Sequence, residues 1–358
     1  MRVAEVDTPA LVVDLERMER NIAAMSRFFA DKRAKLRPHW KTPKCVEVAE
    51  RQLAAGAIGV TCAKLGEAEA LAAGGVRTSV LIANQLVGAA KLARLVALAR
   101  VLPELIVAVD SAEQIAALDA ALAGASAPAP RLGAVIEVDT GMHRCGTSAP
   151  EETLALAQRL RASRVAYRGV MGYEGHAVLV ADAAKRKELA EAAAALLLAH
   201  VEALRGAGLA PEIVSSGGTG TYDLTGTVPG ITEIQAGSYV FMDGRYREVR
   251  SDFEPALTLH TTVIHRRGRL LVTDAGVKSL SSDFGLPTGF ELGARVVALS
   301  EEHGHVLVDE GVELAPGERI RLLPSHGDTT INLHERYYAA RGDQVEAVWA
   351  IVGRGRFV

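Results

Sequence analysis

The sequence predicts an α/β protein, a (β/α)8 barrel of the TIM type followed by a second, C-terminal domain rich in β-strands. Two observations carry this prediction. Short apolar runs alternate with helical segments up to about residue 245, and short strands without long helices follow as far as residue 358. Alternation of that length is typical of parallel strands joined by crossovers, and about eight units favour a closed barrel over an open sheet. We therefore predict a barrel domain at 1–245, from which the first few residues can join the other domain, and a β domain at 246–358.

The candidate barrel strands are apolar runs rich in β-branched residues. In chain order they lie at 10–14, 35–40, 58–62, 80–83, 105–110, 133–139, 168–173, 211–214 and 232–240. The segments between them, such as 63–73 and 151–161, have helical periodicity and are rich in Ala, Glu and Leu. The last run follows its predecessor without room for a long helix.

Beyond about residue 243 the pattern changes to short strands separated by turns that contain glycine. Candidate strands lie at 257–264, 270–274, 296–299, 306–308, 319–323 and 345–350. Strands at this spacing, with no long helix between them, indicate a β-rich domain.

The composition excludes several classes of protein. The 358 residues carry a formal net charge of −3, which argues against nucleic acid or anionic lipid as the main partner. No apolar run approaches the roughly 20 residues of a membrane span, and the first residues lack the apolar stretch of a secretion signal. Cys45, Cys62 and Cys145 form no Cys-x-x-Cys pair, so we expect neither a disulfide framework nor a thiolate zinc site. We expect a cytoplasmic protein.

The segment 37–44 carries two side chains capable of chemistry, His39 and Lys41. It lies at the end of the second candidate strand, and catalytic groups of barrels gather at the carboxyl ends of strands. On an extended strand, residues two apart point to the same side. A lysine beside other positive charge inside a barrel can be held neutral, which is the form that Schiff-base chemistry needs. The spacing alone favours the alternative, a solvated basic patch.

The string Ser-Ser-Gly-Gly-Thr-Gly-Thr at 215–221 directly follows an apolar strand. Glycines allow backbone N–H groups to converge on an anion, and the hydroxyls add further donors. Barrels commonly bind phosphate at the loops after their last strands. The position of this string therefore favours a phosphate site over a flexible turn.

Two further segments contain polar groups after strands. His326 and Asp328 lie two apart and could both face one Zn²⁺, Mn²⁺ or Mg²⁺ ion if the chain is extended there, with positions left for water or substrate. An ordinary turn is the alternative. Arg144 could hold a carboxylate or phenolate oxygen, or else form a structural salt bridge to Asp139 or Glu137.

Several motifs occur together in a fixed order. They are His-x-Lys at 39–41, Asp-Thr-Gly-Met-His-Arg-Cys-Gly at 139–146, Gly-Gly-Thr-Gly at 217–220, Gln-Ala-Gly-Ser-Tyr-x-Phe-Met-Asp at 235–243, Asp-Ala-Gly-x-Lys-Ser at 274–279 and Pro-Ser-His-x-Asp…Asn-Leu-His at 324–334. Over nearly the whole chain this set resembles the D-threonine aldolase/D-serine dehydratase-like family of fold-type III pyridoxal-phosphate (PLP) enzymes. The second motif also resembles the arginine motif of alanine racemases.

The resemblance implies a role for each candidate residue. Lys41 would carry PLP, and His326 and Asp328 would bind a divalent metal (Mn²⁺, Mg²⁺ or Zn²⁺). Either His39 or a metal-bound hydroxide would deprotonate the substrate hydroxyl. The implied cofactor-binding residues are Lys41, Gln85, Arg144, Tyr173, Gly217, Gly218, Thr219, Gly220, Gln235, Ser238 and Tyr239.

The resemblance also implies an activity. Aldolases of the family tend to have His-x-Asp as the metal pair, whereas D-serine dehydratases tend to have His-x-Cys. His326 and Asp328 therefore favour a lyase that cleaves D-3-hydroxy-α-amino acids of the D-threonine type to glycine and an aldehyde. Pro43 stands where many aldolase relatives have a second His, which keeps open a dehydratase acting on D-serine or 3-hydroxy-D-aspartate.

Two other functions are disfavoured. A racemase would need a second acid/base group, and no Tyr can be assigned to that role. A non-catalytic PLP carrier would need neither the β domain nor the metal pair. The resemblance further implies a head-to-tail homodimer in which the β domain of one subunit covers the barrel mouth of the other.

Overall fold

The computed structural model describes residues 1–290 and 293–358, and the chain divides into two compact units. The barrel unit comprises Met25–Lys41, Val48–Gly237 and Arg356–Val358, and the β unit comprises Met1–Ala24, Thr42–Glu47 and Ser238–Gly355. Each unit is thus assembled from three stretches of chain. Among the described residues, no helix combines the length and the apolar character that a membrane span requires.

The helices and strands follow one another in short segments. The strands are β1 (Ala10–Asp14), β2 (Lys35–Leu36), β3 (Val60–Cys62), β4 (Ser79–Ile82), β5 (Glu104–Val109), β6 (Gly133–Glu137), β7 (Ala166–Met171), β8 (Ile213–Ser216), β9 (Glu233–Ile234), β10 (Leu257–Arg267), β11 (Leu270–Thr273), β12 (Thr288–Gly289), β13 (Ala294–Leu299), β14 (Gly304–Val308), β15 (Arg319–Leu323), β16 (Arg336–Arg341) and β17 (Gln344–Ala350). The α-helices are α1 (Leu15–Phe29), α2 (Val46–Ala54), α3 (Leu65–Ala73), α4 (Ala89–Leu98), α5 (Ala112–Ala123), α6 (Pro150–Arg161), α7 (Ala183–Gly206), α8 (Tyr222–Thr225), α9 (Gly244–Arg247) and α10 (Gly327–Ile331). Two single 3₁₀ turns lie at Val3–Glu5 and Ser238–Val240.

The barrel unit is built on one parallel sheet. Its strand order is β2-β9-β8-β7-β6-β5-β4-β3, and a parallel bridge between His39 and Thr61 joins the two ends of that order. Apolar side chains from alternate positions of the strands fill the interior, and they include Leu81, Ile106, Ala108, Val135, Met171 and Ile213. The predicted fold class, a TIM-type barrel with a β-rich second domain, is confirmed.

Two helices of the barrel unit begin at residues whose side chains satisfy one of the first backbone N–H groups. The Ser111 hydroxyl accepts from the backbone N–H of Gln114 at the start of α5, and the Asp182 carboxylate accepts from that of Lys185 at the start of α7. Pro150 opens α6, where its missing N–H has no consequence. These cap residues and Pro150 explain why α5, α6 and α7 begin at these positions.

The β unit contains a mixed sheet in the order β11-β14-β13-β12-β15-β10-β1-β16-β17, and β11 also pairs with β10. The assignment of run 10–14 to the barrel is wrong, because β1 pairs antiparallel with β10 and parallel with β16. Its buried, β-branched residues suit either sheet, and only the long-range pairing decides between them. The eight remaining runs supply the barrel strands, so the glycine string follows the seventh strand of the barrel.

Candidate active site

His39 and Lys41 lie just beyond β2, where the strand gives way to a turn. His39 still forms the bridge to Thr61, but residues 40–43 are a turn, so the extended-strand prediction fails after His39. The backbone N–H of Lys41 donates to Nδ1 of His39 at 3.4 Å. Trp40 between them is 1% exposed, while Lys41 is exposed. The buried indole therefore anchors a turn that presents Lys41 at the carboxyl end of a barrel strand.

The glycine loop, residues 217–220, connects β8 to the short helix α8. Gly217 has φ of +78°, a value in the left-handed region that L side chains rarely adopt. A Cβ on Gly220 would lie 1.8 Å from the carbonyl oxygen of Val178, and one on Gly218 would lie 3.2 Å from Cε2 of Tyr173. The loop is therefore pressed closely against the segment that follows β7, with the Tyr173 ring as its neighbour.

Glu174 lies directly behind the glycine loop and was not identified from the sequence. Its side chain is 1% exposed, and its carboxylate accepts hydrogen bonds from the hydroxyls of Ser216, Thr221 and Thr225 and from the backbone N–H of Gly217. In the sequence, Glu174 is one acidic residue between Gly172 and Gly175, and no pattern there indicates that it accepts hydrogen bonds from the glycine loop. Only the tertiary structure reveals it.

A second cluster of polar side chains lies at the carboxyl ends of β4 and β6. Gln85 Nε2 donates to Glu137 Oε2, and a guanidinium nitrogen of Arg144 lies 3.7 Å from Glu137 Oε1. Burial raises the pKa of the Glu137 carboxyl, although Gln85 and Arg144 act in the opposite direction. Asp139, the other candidate partner of Arg144, binds His143 instead, at 3.1 Å. Arg144 remains half-exposed, so its guanidinium is accessible for a ligand oxygen.

The remaining cofactor candidates divide between the two units. Gln235 belongs to the barrel unit, and its Nε2 donates to the Ser215 hydroxyl at 2.8 Å. Ser238 and Tyr239 belong to the β unit. Tyr239 is fully buried there, with its ring centroid 5.5 Å from that of Phe253.

His326 and Asp328 stand at the start of α10 in the β unit. His326 is the N-cap residue and Asp328 lies in the first helical turn, so the segment is not the extended strand considered for the metal pair. His326 Nδ1 lies 2.6 Å from Asp283 Oδ2, and the Phe284 ring stacks on the imidazole at a centroid distance of 3.9 Å. The contact with Asp283 holds the Nδ1 edge of the imidazole, and the stacked Phe284 ring holds one of its faces.

Within residues 1–290 and 293–358, no group of three or more His, Cys, Asp or Glu side chains could hold a metal ion. An imidazole and a carboxylate at the start of one helix form a donor set that suits a divalent cation with several open positions. The donor chemistry of His326 and Asp328 therefore fits a metal that takes its other ligands from water or substrate.

Comparisons with known proteins match both halves of the chain. The family described as alanine racemase, N-terminal domain, matches residues 13–244, and the putative serine dehydratase domain matches residues 256–340. A D-threonine aldolase of Arthrobacter sp is 39% identical over 362 residues, covering 99% of this chain and 94% of the relative. A 3-hydroxy-D-aspartate aldolase of Paracoccus denitrificans (strain Pd 1222) is 36% identical over 371 residues, with the same coverage.

A solved structure leads to the same family. The crystal structure of D-threonine aldolase from Filomicrobium marinum superposes with a TM-score of 0.95 at 35% identity, covering 99% of this chain and 98% of that one. Similarity of this extent covers both units and the segments that carry all of the motifs. The chain belongs to the D-threonine aldolase/D-serine dehydratase-like family of fold-type III PLP enzymes.

Proposed function

We propose that this chain is a PLP-dependent carbon–carbon lyase that cleaves D-3-hydroxy-α-amino acids to glycine and an aldehyde. The observation that carries the proposal is the His326–Asp328 pair at the start of α10, since the family resemblance associates His-x-Asp with aldolases and His-x-Cys with dehydratases. The two relatives named as aldolases, each aligned over 99% of this chain, support the same activity.

The barrel unit has residues that fit PLP. The glycine loop has no side chains where it presses on Val178 and Tyr173, and the hydroxyls of Ser215 and Thr219 are donor groups of the kind that suits an anion. We assign the phosphate to Gly217, Gly218, Thr219 and Gly220, and the covalent attachment to Lys41. The assigned contacts to the rest of the cofactor are Gln85, Arg144, Tyr173, Gln235, Ser238 and Tyr239. When bound, PLP supplies an electron sink for the bond that breaks at Cα.

His326 and Asp328 would hold a divalent metal, which supplies a Lewis acid for the β-oxygen of the substrate. Mn²⁺, Mg²⁺ and Zn²⁺ all accept this donor pair. The contacts of His326 with Asp283 and Phe284 leave Nε2 as the ring nitrogen directed away from Asp283. The metal is therefore assigned to Nε2 of His326 together with the Asp328 carboxylate.

His39 is our candidate for proton exchange with the substrate. Its Nδ1 accepts from the backbone N–H of Lys41, so a neutral imidazole carries its proton on Nε2. We assign Nε2 as the atom that exchanges the proton. Pro43, the position of a second His in many aldolase relatives, has no proton to exchange, and its carbonyl accepts from the Tyr337 hydroxyl at 2.8 Å.

The product distinguishes the proposed aldolase from a dehydratase. We expect D-threonine, D-phenylserine and 3-hydroxy-D-aspartate to yield glycine and an aldehyde, with activity lost in chelator and restored by Mn²⁺. L-Threonine is the matched control substrate, because only its configuration differs. An oxo acid and ammonia as the products would contradict the aldolase assignment, and full activity in chelator would contradict the metal.

We also propose a head-to-tail homodimer, as the family resemblance implies. The reason is chemical, since a metal ligand lies about 2 Å from its metal, and the metal would have to reach the β-oxygen of a substrate held at the PLP site that contains Lys41. Two-fold dimers are the commonest soluble assemblies.

A further inference from the structure

Glu174 joins the two ends of the glycine loop through one carboxylate. On the entry side, Oε2 accepts from the Ser216 hydroxyl and from the Gly217 N–H, both at 3.1 Å. On the exit side, Oε1 accepts from the hydroxyls of Thr221 at 2.8 Å and Thr225 at 2.6 Å. Three of the four residues assigned to the phosphate, Gly218 to Gly220, lie between these ends.

A carboxylate matches the four donors that surround this position. All four contacts use it as an acceptor, and an ionised carboxylate has two oxygens with about four acceptor positions and no donor. The Gly217 N–H can only donate, so it needs an acceptor in any case. Burial of a charge at 1% exposure is costly without such partners, and here four donors compensate it.

The network extends from Glu174 into the loop itself. The Thr221 hydroxyl, which donates to Glu174, also accepts from the Gly218 N–H at 3.3 Å. A loop containing three glycines would otherwise lose much conformational entropy on binding an anion. A loop whose ends are already held loses less, and the ligand binds more tightly for that reason.

We propose that Glu174 is a positioning residue that preforms the glycine loop for the phosphate group of PLP. The inference rests on the proposed function, because it takes this loop as the phosphate site. The contacts of Glu174 are with the two ends of the loop. Its effect should therefore appear in affinity for the phosphate group specifically.

The experiment compares PLP with pyridoxal, which lacks the phosphate, by titrating each into the full-length apoenzyme and following absorbance. The ratio of the dissociation constant of pyridoxal to that of PLP measures how much the phosphate contributes to affinity. For Glu174→Ala we expect this ratio to fall by at least about tenfold, equivalent to about 1.4 kcal/mol. Pyridoxal affinity should change by less than about twofold, because the Lys41 end of the site is untouched.

Two other variants refine the test. Glu174→Gln keeps one oxygen for Gly217 and Ser216 and can donate to the threonine hydroxyls, so we expect it to restore most of the ratio. Thr225→Val removes a single hydrogen bond to Glu174 and should lower the ratio about threefold. It also keeps the proposal falsifiable if Glu174→Ala does not fold, since an unchanged ratio in Thr225→Val would then overturn it.

Thr153→Val is the matched control for general loss of stability. Thr153 is fully buried in the same unit, and its hydroxyl lies within hydrogen-bond distance of the Thr147 hydroxyl and of His200 Nδ1. We expect a lower melting temperature and an unchanged ratio. If Glu174→Ala behaves like this control, Glu174 is only structural and the inference is wrong. If the wild-type chain itself fails to prefer PLP over pyridoxal, the proposed phosphate site fails instead.

Discussion

His260 shows how the surroundings of one residue set its chemistry. It lies on β10, is 8% exposed and stands opposite Arg321 of β15. Burial, together with the charges of Arg321 and Arg319, lowers the pKa of His260 to about 4. The imidazole is therefore neutral in the folded protein at a pH where it would be protonated in an unfolded chain.

This shift predicts a loss of stability in acid. Above pH ~6.5 the imidazole is neutral in both states, whereas between pH ~6.5 and ~4 only the unfolded chain takes up the proton. Stability should fall by about 3 kcal/mol as the pH decreases through that range. Chemical denaturation at several pH values measures it. The variant His260→Gln should lose this part of the pH dependence, and identical profiles for the two proteins would contradict the explanation.

Gly169 shows how one position controls the pairing of whole strands. It lies on β7, opposite Ile213 of β8, with φ of +144°. A Cβ at this position would lie 2.0 Å from the carbonyl oxygen of Ile213. The register of β7 against β6 also shifts at this point. The two strands can approach closely here only because the residue has no side chain.

The variant Gly169→Ala should therefore destabilise the barrel by about 2–4 kcal/mol, through both the contact and the backbone strain. Gly206→Ala is the control, because nothing lies within 4 Å of the added methyl group at the end of α7. Alanine favours a helix, so this control should be neutral or more stable by up to about 1 kcal/mol. Thermal melting of the two variants tests the comparison, and equal melting temperatures would contradict it.

At the scale of the whole molecule, the proposed chemistry depends on groups from both units. Lys41 belongs to the barrel unit, and His326 belongs to the β unit. In a head-to-tail dimer each complete site would combine Lys41 of one subunit with His326 of its partner. Neither subunit would then be active alone.

Complementation between two inactive variants tests this assembly. When Lys41→Ala and His326→Ala chains are mixed equally and exchange subunits, half of the dimers are mixed, and one site in each receives both intact residues. We expect about a quarter of the wild-type activity to return. Each variant alone, treated in the same way, is the control. No recovery after exchange is verified with differently tagged chains would mean that each site is built within one chain.

The sequence by itself determined the barrel, the β-rich second domain and the motifs of the site. Parallel strands that are covered on both faces appear in a sequence as continuous apolar runs. Eight of the nine apolar runs are strands of the barrel. Gly217, Gly218 and Gly220 are similarly informative, since a Cβ on each would lie only 1.8–3.1 Å from a neighbouring atom. These features are recorded in the residue types themselves, as apolar runs and glycines, so a local pattern reveals them.

Only the tertiary structure decided which sheet receives the run 10–14 and what surrounds the glycine loop. β1 joins the β unit because it pairs with β10 and β16. These partners lie more than 240 residues away in the chain. Glu174 meets Thr221 and Thr225 across 47 and 51 positions. The turn at Lys41 and the helical position of Asp328 likewise replace the extended chain that their spacing had indicated. Pairings over such separations depend on the folded path of the chain, which no window of neighbouring residues contains.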